Sequence, residues 1–276
     1  MIKISKKPYL HCLSAFILFL SCWWTAPLCA QSSASREVEN VQLLGIGHIN
    51  TLDTYLSPEE YSGVELRFVS QNMRLRPGRR FITQLTHYGS IAMGEDRSGD
   101  GSQMSGLYTL NLSRRRDWHL GDSWQLQAGW MGDLNLGFIY DERNSNNPAQ
   151  VRLSLQLGPS LAALCRTHLG KAKLHFRYEV SVPLVGIMFS PNYGQSYYEI
   201  FSLGNYDHNA VVTTVASAPS LRQMLTVDFR LLHTTWRVGY LGDYQQAEVN
   251  HLKQHFYTHS FLIGYVRHFT ITDIIP

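Results

Sequence analysis

Cysteine is nearly absent from this 276-residue chain once residues 1–30 are set aside. Cys12, Cys22 and Cys29 fall inside that stretch, and Cys165 stands alone beyond it. One thiol cannot build a disulfide framework, and it offers no Cys pair for a zinc site. An excess of one charge sign is lacking too. The chain carries 24 basic and 21 acidic residues, but Lys3, Lys6 and Lys7 sit in residues 1–30 with no acid beside them, so the remainder is balanced. That argues against nucleic acid or an anionic surface as the main partner. A second long apolar run is missing, as is any sustained helical period. If the chain beyond residue 30 enters a membrane, it must do so as a closed barrel, because only helices and barrels satisfy their backbone polar groups in lipid.

Residues 1–30 read as a secretory leader. Lys3, Lys6 and Lys7 form its basic start, Leu13 to Trp24 its apolar stretch, and Thr25-Ala-Pro-Leu-Cys-Ala30 a cleavage site before Gln31. The apolar stretch is shorter than the roughly 20 residues of a spanning helix. Residues 31–276 are then expected to form one domain.

What the chain does have is alternation. From Trp124 to Tyr140 one parity is Trp, Leu, Ala, Trp, Gly, Leu, Leu, Phe, Tyr, and the other is mainly polar, with Asp133 and Asn135. A side-chain period of two marks a strand. Similar alternation covers 64–71, 108–113, 151–157, 174–184, 221–231 and 236–245, and more weakly 41–50, 80–93 and 256–270. The connections 74–79, 115–122, 166–171 and 232–234 are short. Those at 51–63, 94–106, 141–149 and 247–255 are longer, and 188–218 is longest. Short and long connections alternate, as the periplasmic turns and outer loops of outer-membrane barrels do. The expected fold is therefore all-β: an antiparallel transmembrane barrel of about ten strands, or twelve if Ala210 to Ala216 pairs with a neighbour. Its partners would be outer-membrane lipids and, through Gly264 and Phe269 in the last strand, the barrel-insertion machinery. A soluble sandwich or lipocalin-like barrel also alternates. Strand length and the large aromatics near strand ends, such as Trp124, Tyr140 and Trp236, weigh against it.

Leu52–Pro58, Asn146–Gln150, Met188–Asn205 and Pro219–Gln223 resemble a family of uncharacterised exported proteins from Bacteroidota, catalogued as a domain of unknown function. The resemblance implies an outer-membrane barrel in a Gram-negative cell. It implies no activity and supplies no catalytic residues.

Candidate chemistry is sparse. A barrel lipase would resemble His-x-Ser on one strand, but His259 and Ser260 are adjacent and point to opposite faces. A barrel protease would resemble Asp-x-Asp with Asp-x-His near the outer rim; Asp-x-Asp does not occur, and Asp207-His208 is adjacent within a loop. Eleven His beyond residue 30 form no helical pair; His251 and His255 are four apart in an expected loop. Asp96-Arg-Ser-Gly-Asp-Gly-Ser102 lacks the ligand spacing of a calcium loop. No metal or cofactor is expected. A membrane-embedded hydrolase acting on lipid or peptide is the alternative to a non-enzymatic surface-binding or envelope-structural barrel, or a narrow pore.

Two groups of residues stand out. Glu65, Arg67, Asp133, Arg152, Arg177, Glu179, Arg222, Asp228, Arg230, Arg237 and Asp243 share the polar parity. Arg on a lipid face costs roughly 2–4 kcal/mol near the midplane, so these are expected in the lumen. Their mixed signs suggest bracing networks that nearly fill a small bore. Tyr193, Tyr197, Tyr198, Phe201 and Tyr206 crowd 188–218, either folding inward as a cap or forming an exposed stacking surface for a glycan, a lipid head or a protein partner.

Overall fold

The computed structural model describes residues 36–75, 80–144, 147–170 and 172–271. The leader expected over 1–30, the tip of the turn at 76–79, and Ser145, Asn146 and Lys171 lie outside the described residues. Twelve strands follow in order: β1 Arg36–Asp53, β2 Tyr61–Leu75, β3 Phe81–Asp96, β4 Ser102–Leu120, β5 Trp124–Asp141, β6 Ala149–Leu169, β7 Ala172–Ser181, β8 Val185–Phe189, β9 Ala210–Thr214, β10 Ser220–Leu231, β11 Thr234–Val249 and β12 Leu252–Ile271. All pair antiparallel. Ten of them close a ring, β1 to β7 and then β10 to β12, sealed where β12 meets β1 and where β5 meets β6. The remaining two, β8 and β9, form a hairpin on β6. The all-β barrel expected from alternation is what folds, with ten strands in the ring and the two additional strands on either side of the long loop.

The ring is staggered. From Ile82 the lateral partners run through Arg115, Gly129, Ser160, Ser181, Arg222, Asp243, Thr258, Ile49 and Gly63 and return to β3 at Gly94. A stagger of this size tilts the strands by roughly 40°. Each strand keeps one parity outside: Leu44, Leu66, Ile91, Leu134 and Leu155 are exposed, while their neighbours in sequence turn inward.

Strands run further than the patterning suggested. The loops expected at 51–63, 94–106, 141–149 and 247–255 shrink to 54–60, 97–101, 142–148 and 250–251. Asn250 and His251 both have positive φ, and so do Leu232 and His233 at the other end. Such paired values close a tight hairpin whose twist matches its strands. The short turn expected at 115–122 is also mostly strand, because β4 continues to Leu120.

One irregularity shapes the long connection. Pro183 has no N–H to donate, and the ladder along β6 skips there. Ser160 faces Ser181 but Leu157 faces Val185, so the β7–β8 side holds one extra residue. This is a bulge placed where Pro forbids regular pairing. Gly158 admits it, since a Cβ there would lie 2.0 Å from the Val182 carbonyl. Beyond the bulge, β8 and β9 carry the chain past the ring into loop 190–209. That loop holds one short helix, α1 (Tyr197–Phe201).

Candidate functional site

The bore is crossed by three ionic networks. At the turn end, Arg237 of β11 donates to Asp228 of β10 at 2.5 Å, to Glu39 of β1 at 2.9 Å and to Gln71 of β2 at 3.2 Å. Across the bore, Arg115 of β4 pairs with Glu179 of β7 at 3.4 Å and bonds Gln84 of β3, while Arg177 binds the same Glu179. Nearer the loop end, Arg222 of β10 reaches Asp133 of β5 at 2.8 Å and Asp243 of β11 at 3.3 Å, and its guanidinium lies over the Tyr88 ring. Arg67 joins this network through Glu65 at 2.7 Å and Asp243 at 3.8 Å. A patch of inward apolar residues, including Val41, Leu43, Val69, Met224, Leu241 and Leu262, fills the wall between them.

Each charge in these networks faces an opposite charge, the condition under which burial is tolerable, whereas buried Asp53 and Asp141 nearer the loop end are held by hydrogen bonds from Tyr55 N–H and from the Tyr61 hydroxyl and Arg143 N–H. A cavity of about 10 Å³ lies beside Asp133, Arg222 and Asp243, and one of about 40 Å³ is lined by Arg152, Gln245 and Phe256, space for roughly one or two waters. Arg152 donates to Gln245 at 2.9 Å and lies 3.3 Å from the Phe256 ring centroid.

The loop end is capped. Leu56 of loop 54–60 packs with Ile139 and Phe256, and Tyr55 lies against them. The Tyr55 hydroxyl donates to the Gln195 carbonyl at 3.0 Å. Burial, helped by the nearby charges of Asp53 and Glu199, pushes that hydroxyl up to about 12, which keeps it a donor. Asn250 donates to the carbonyls of Ser190, Pro191 and His208 and so ties loop 190–209 to the β11–β12 turn. Tyr197 donates to Gln150 and accepts from the Val151 N–H, both at 2.7 Å. Helix α1 starts with a capping box: Ser196 and Glu199 satisfy each other's backbone N–H groups.

Loop 190–209 divides its aromatics. Tyr197 turns toward the rim and stacks on Phe201, with ring centroids 5.8 Å apart. Tyr193, Tyr198, Phe201 and Tyr206 remain exposed. One ring of the five is thus turned to the rim and four are exposed.

Of the charges sharing the polar parity, Glu65, Arg67, Asp133, Arg177, Glu179, Arg222, Arg237 and Asp243 are buried, and Arg152 and Asp228 are half-buried. Arg230 differs. It is exposed at the turn end of β10, because so few residues of the strand remain below it that its side chain reaches solvent. Glu39 and Arg115 belong to the networks and escaped the sequence reading. Arg115 was hidden by the run Arg114-Arg115-Arg116, where the parity of Asn111 and Ser113 already pointed inward. Its two neighbours face out and lie over the Phe81 and Trp118 rings.

The histidines are mostly outside the bore. His255 is not in a loop with His251: it lies on β12, faces outward and meets Asn50 at 2.7 Å. Asp117 and His119 stand two apart at the turn end, with Nδ1 3.6 Å from the carboxylate. Asp96 accepts from Ser98 and Gly99 and pairs with Arg143, so its carboxylate is used in closing a turn. Among the described residues, no three His, Cys, Asp or Glu side chains gather as a metal site requires.

A family model described as "Protein of unknown function (DUF3316)" matches residues 13–274. No curated protein matches the chain. Solved structures similar to it include the transport unit of the autotransporter AIDA-I from Escherichia coli, at 7% identity and TM-score 0.39 over 95% of this chain and 99% of that one. An outer-membrane channel from Pseudomonas putida F1 is 11% identical with TM-score 0.39, covering 89% of this chain and 100% of that one. The outer-membrane protease OmpT from Escherichia coli is 6% identical with TM-score 0.35, covering 90% and 99%.

Proposed function

Since the chain belongs to the DUF3316 family, whose description carries no function, we propose a role from geometry alone: a non-conducting outer-membrane barrel whose bore is structural and whose outer loop 190–209 is the working surface. The observation that carries this is Arg222, held between Asp133 and Asp243 across the bore and continued by Arg67 to the opposite wall. A conducting lumen needs a water column, and these side chains stand where it would run.

Placement in the outer membrane rests on the outward parity. Nine outward residues of β5 from Trp124 to Tyr140 are apolar, aromatic or Gly, a surface suited to hydrocarbon with aromatic ends. The resemblance to exported Bacteroidota proteins fits the same address. The last strand, with Gly264 and Phe269, is the segment we assign to the barrel-insertion machinery. The rings of Tyr193, Tyr198, Phe201 and Tyr206 are exposed on this loop. Such rings suit the apolar side of a sugar ring on a neighbouring surface glycan.

Two measurements test the reading. The full-length protein in planar bilayers should give a silent trace, and a steady single-channel current would overturn the filled bore. Binding of surface polysaccharide to the purified barrel should fall at least tenfold in a Tyr198→Ser, Phe201→Ser variant. Unchanged binding would remove the loop from the proposal.

A further inference from the structure

The outside of the barrel is not uniform around its circumference. On β5 and β6 the outward parity runs from Trp124 to Tyr140 and from Ala149 to Cys165 without a polar side chain. At a rise of about 3.3 Å per residue and a tilt near 40°, each covers about 40 Å of height, more than the roughly 30 Å hydrocarbon core. The seam where β12 meets β1 is different. On β1 only Leu44 and Ile46 face out between Gln42 and His48. By the same geometry that interval is about 15 Å high. Ser62 to Ser70 on β2, His87 to Glu95 on β3 and His259 to Arg267 on β12 each bound an apolar stretch of about 20 Å.

The polar residues form two rows along lateral partners. The lower row is Gln42, Ser70 and His87, which face one another from β1 to β3. The upper row is His259 and His48, directly paired, with Asn50 and His255 above. Members of the rows bond to neighbours on the same outer face: Gln42 to Ser70 at 2.8 Å, His87 to Tyr108 at 2.7 Å, and His259 to Tyr240 at 2.6 Å. These bonds leave further donor and acceptor positions of Gln42, His48 and His259 open to the outside. In hydrocarbon such groups are costly; at a water or headgroup boundary they are satisfied.

We propose that the seam formed by β12, β1, β2 and β3 is a membrane-thinning face, which draws the headgroup and water layers of both leaflets inward to the two polar rows. Its partner is the lipid bilayer itself. A hydrophobic stretch shorter than the bilayer is accommodated by local thinning, and here the mismatch is largest along these four strands; on β10 the one outward amide, Gln223, is taken up by the Tyr178 hydroxyl at 2.9 Å. The opposite wall at β5 and β6 keeps the bilayer at full thickness.

Site-directed spin labels in liposomes test this. Cys165→Ala supplies a background free of thiols beyond residue 30. Lateral partners climb by slightly more than one residue per strand, so Leu155 lies level with His48, and Leu161 lies close to the level of Ser70. Labels at H48C and S70C should collide with a water-soluble nickel chelate at least fivefold more often than labels at L155C and L161C. Equal, low nickel accessibility with high oxygen accessibility at all four sites would overturn the proposal. Shielding of the seam labels from both reagents would also overturn it, because a protein partner would then cover the face. A second variant tests cause. With Gln42→Leu, His48→Leu and Ser70→Leu combined, a label at I46C should drop to the nickel accessibility of L155C; no change would sink the assignment to the polar rows. Heat-modifiable migration confirms that each labelled barrel is folded.

Discussion

Arg222 and Arg230 lie on the same strand and the same parity, yet they meet different surroundings. Arg222 is held by two carboxylates inside the bore, whereas Arg230 is exposed where the strand ends. Removing one member of a buried ion pair leaves its partner charged and unsolvated, at a cost of about 3–5 kcal/mol. Arg222→Leu should therefore lower the urea midpoint of the barrel in lipid vesicles, followed by Trp fluorescence, by an amount corresponding to about 3–5 kcal/mol. Arg230→Ala should stay within about 0.5 kcal/mol, as exposed substitutions do. Equal effects would mean that the network does not hold the bore. Parity was legible in the sequence because the side-chain period of a strand is two, so Asp133, Arg177 and Asp243 could be placed inside from spacing alone. Their partners were not legible. Glu39 meets Arg237 only because β1 closes on β12 and brings β11 within reach, and ring closure leaves no local trace.

At the scale of elements, loop 190–209 is organised by contacts at both ends. Asn250 satisfies three of its carbonyls from the β11–β12 turn, and the capping box of α1 orders its middle. Asn250→Ala should expose the loop to protease added outside intact cells, with cleavage at least fivefold faster and the barrel itself unaffected. A cleavage rate equal to that of the natural chain would show that Asn250 does not tether the loop. The capping box also sets a pH response. Hydrogen bonds from the Ser196 backbone and hydroxyl hold the Glu199 carboxyl below its usual 4.5. A group depressed in the folded state stabilises it above the unfolded pKa and loses that contribution as pH falls through the folded one. Amide exchange over Ser196–Phe201 should accordingly speed up, beyond the intrinsic acid dependence, below about pH 4, and a Glu199→Gln variant should lack that response. The helix was invisible in the alternation because α1, from Tyr197 to Phe201, is too short to show a period. Strand ends were misjudged for a related reason. Tight turns such as Asn250-His251 carry neither Gly nor Pro to mark them, so the expected loops came out too long.

For the molecule as a whole, four barriers stand in series along the bore: the cap of loops 54–60 and 190–209, beneath it the network of Arg222, Arg67, Asp133 and Asp243, and nearer the turn end the networks of Arg115 with Glu179 and of Arg237 with Asp228. Flow through barriers in series is limited by the tightest one, so removing the cap alone should change nothing. A chain in which residues 190–209 are replaced by a short Gly-Ser link should remain electrically silent in planar bilayers. A chain that keeps the loop but carries Arg67→Ser, Arg222→Ser and Asp243→Ser should stay silent as well, because loop 54–60 and the tethered loop still close the outer end. The combination should conduct only when Arg115→Ser, Arg177→Ser and Arg237→Ser are added to it, because the two networks nearer the turn end also cross the bore. Removing one acid with five bases leaves Glu39, Glu65, Asp133, Glu179 and Asp228 against Arg152, so the current should favour cations. Current after loop replacement alone would place the whole barrier in the cap and leave the ionic networks as wall bracing around an open lumen. Silence in that variant, with heat-modifiable migration intact, would shift the barrier to the inward apolar patch around Leu43, Val69 and Leu241.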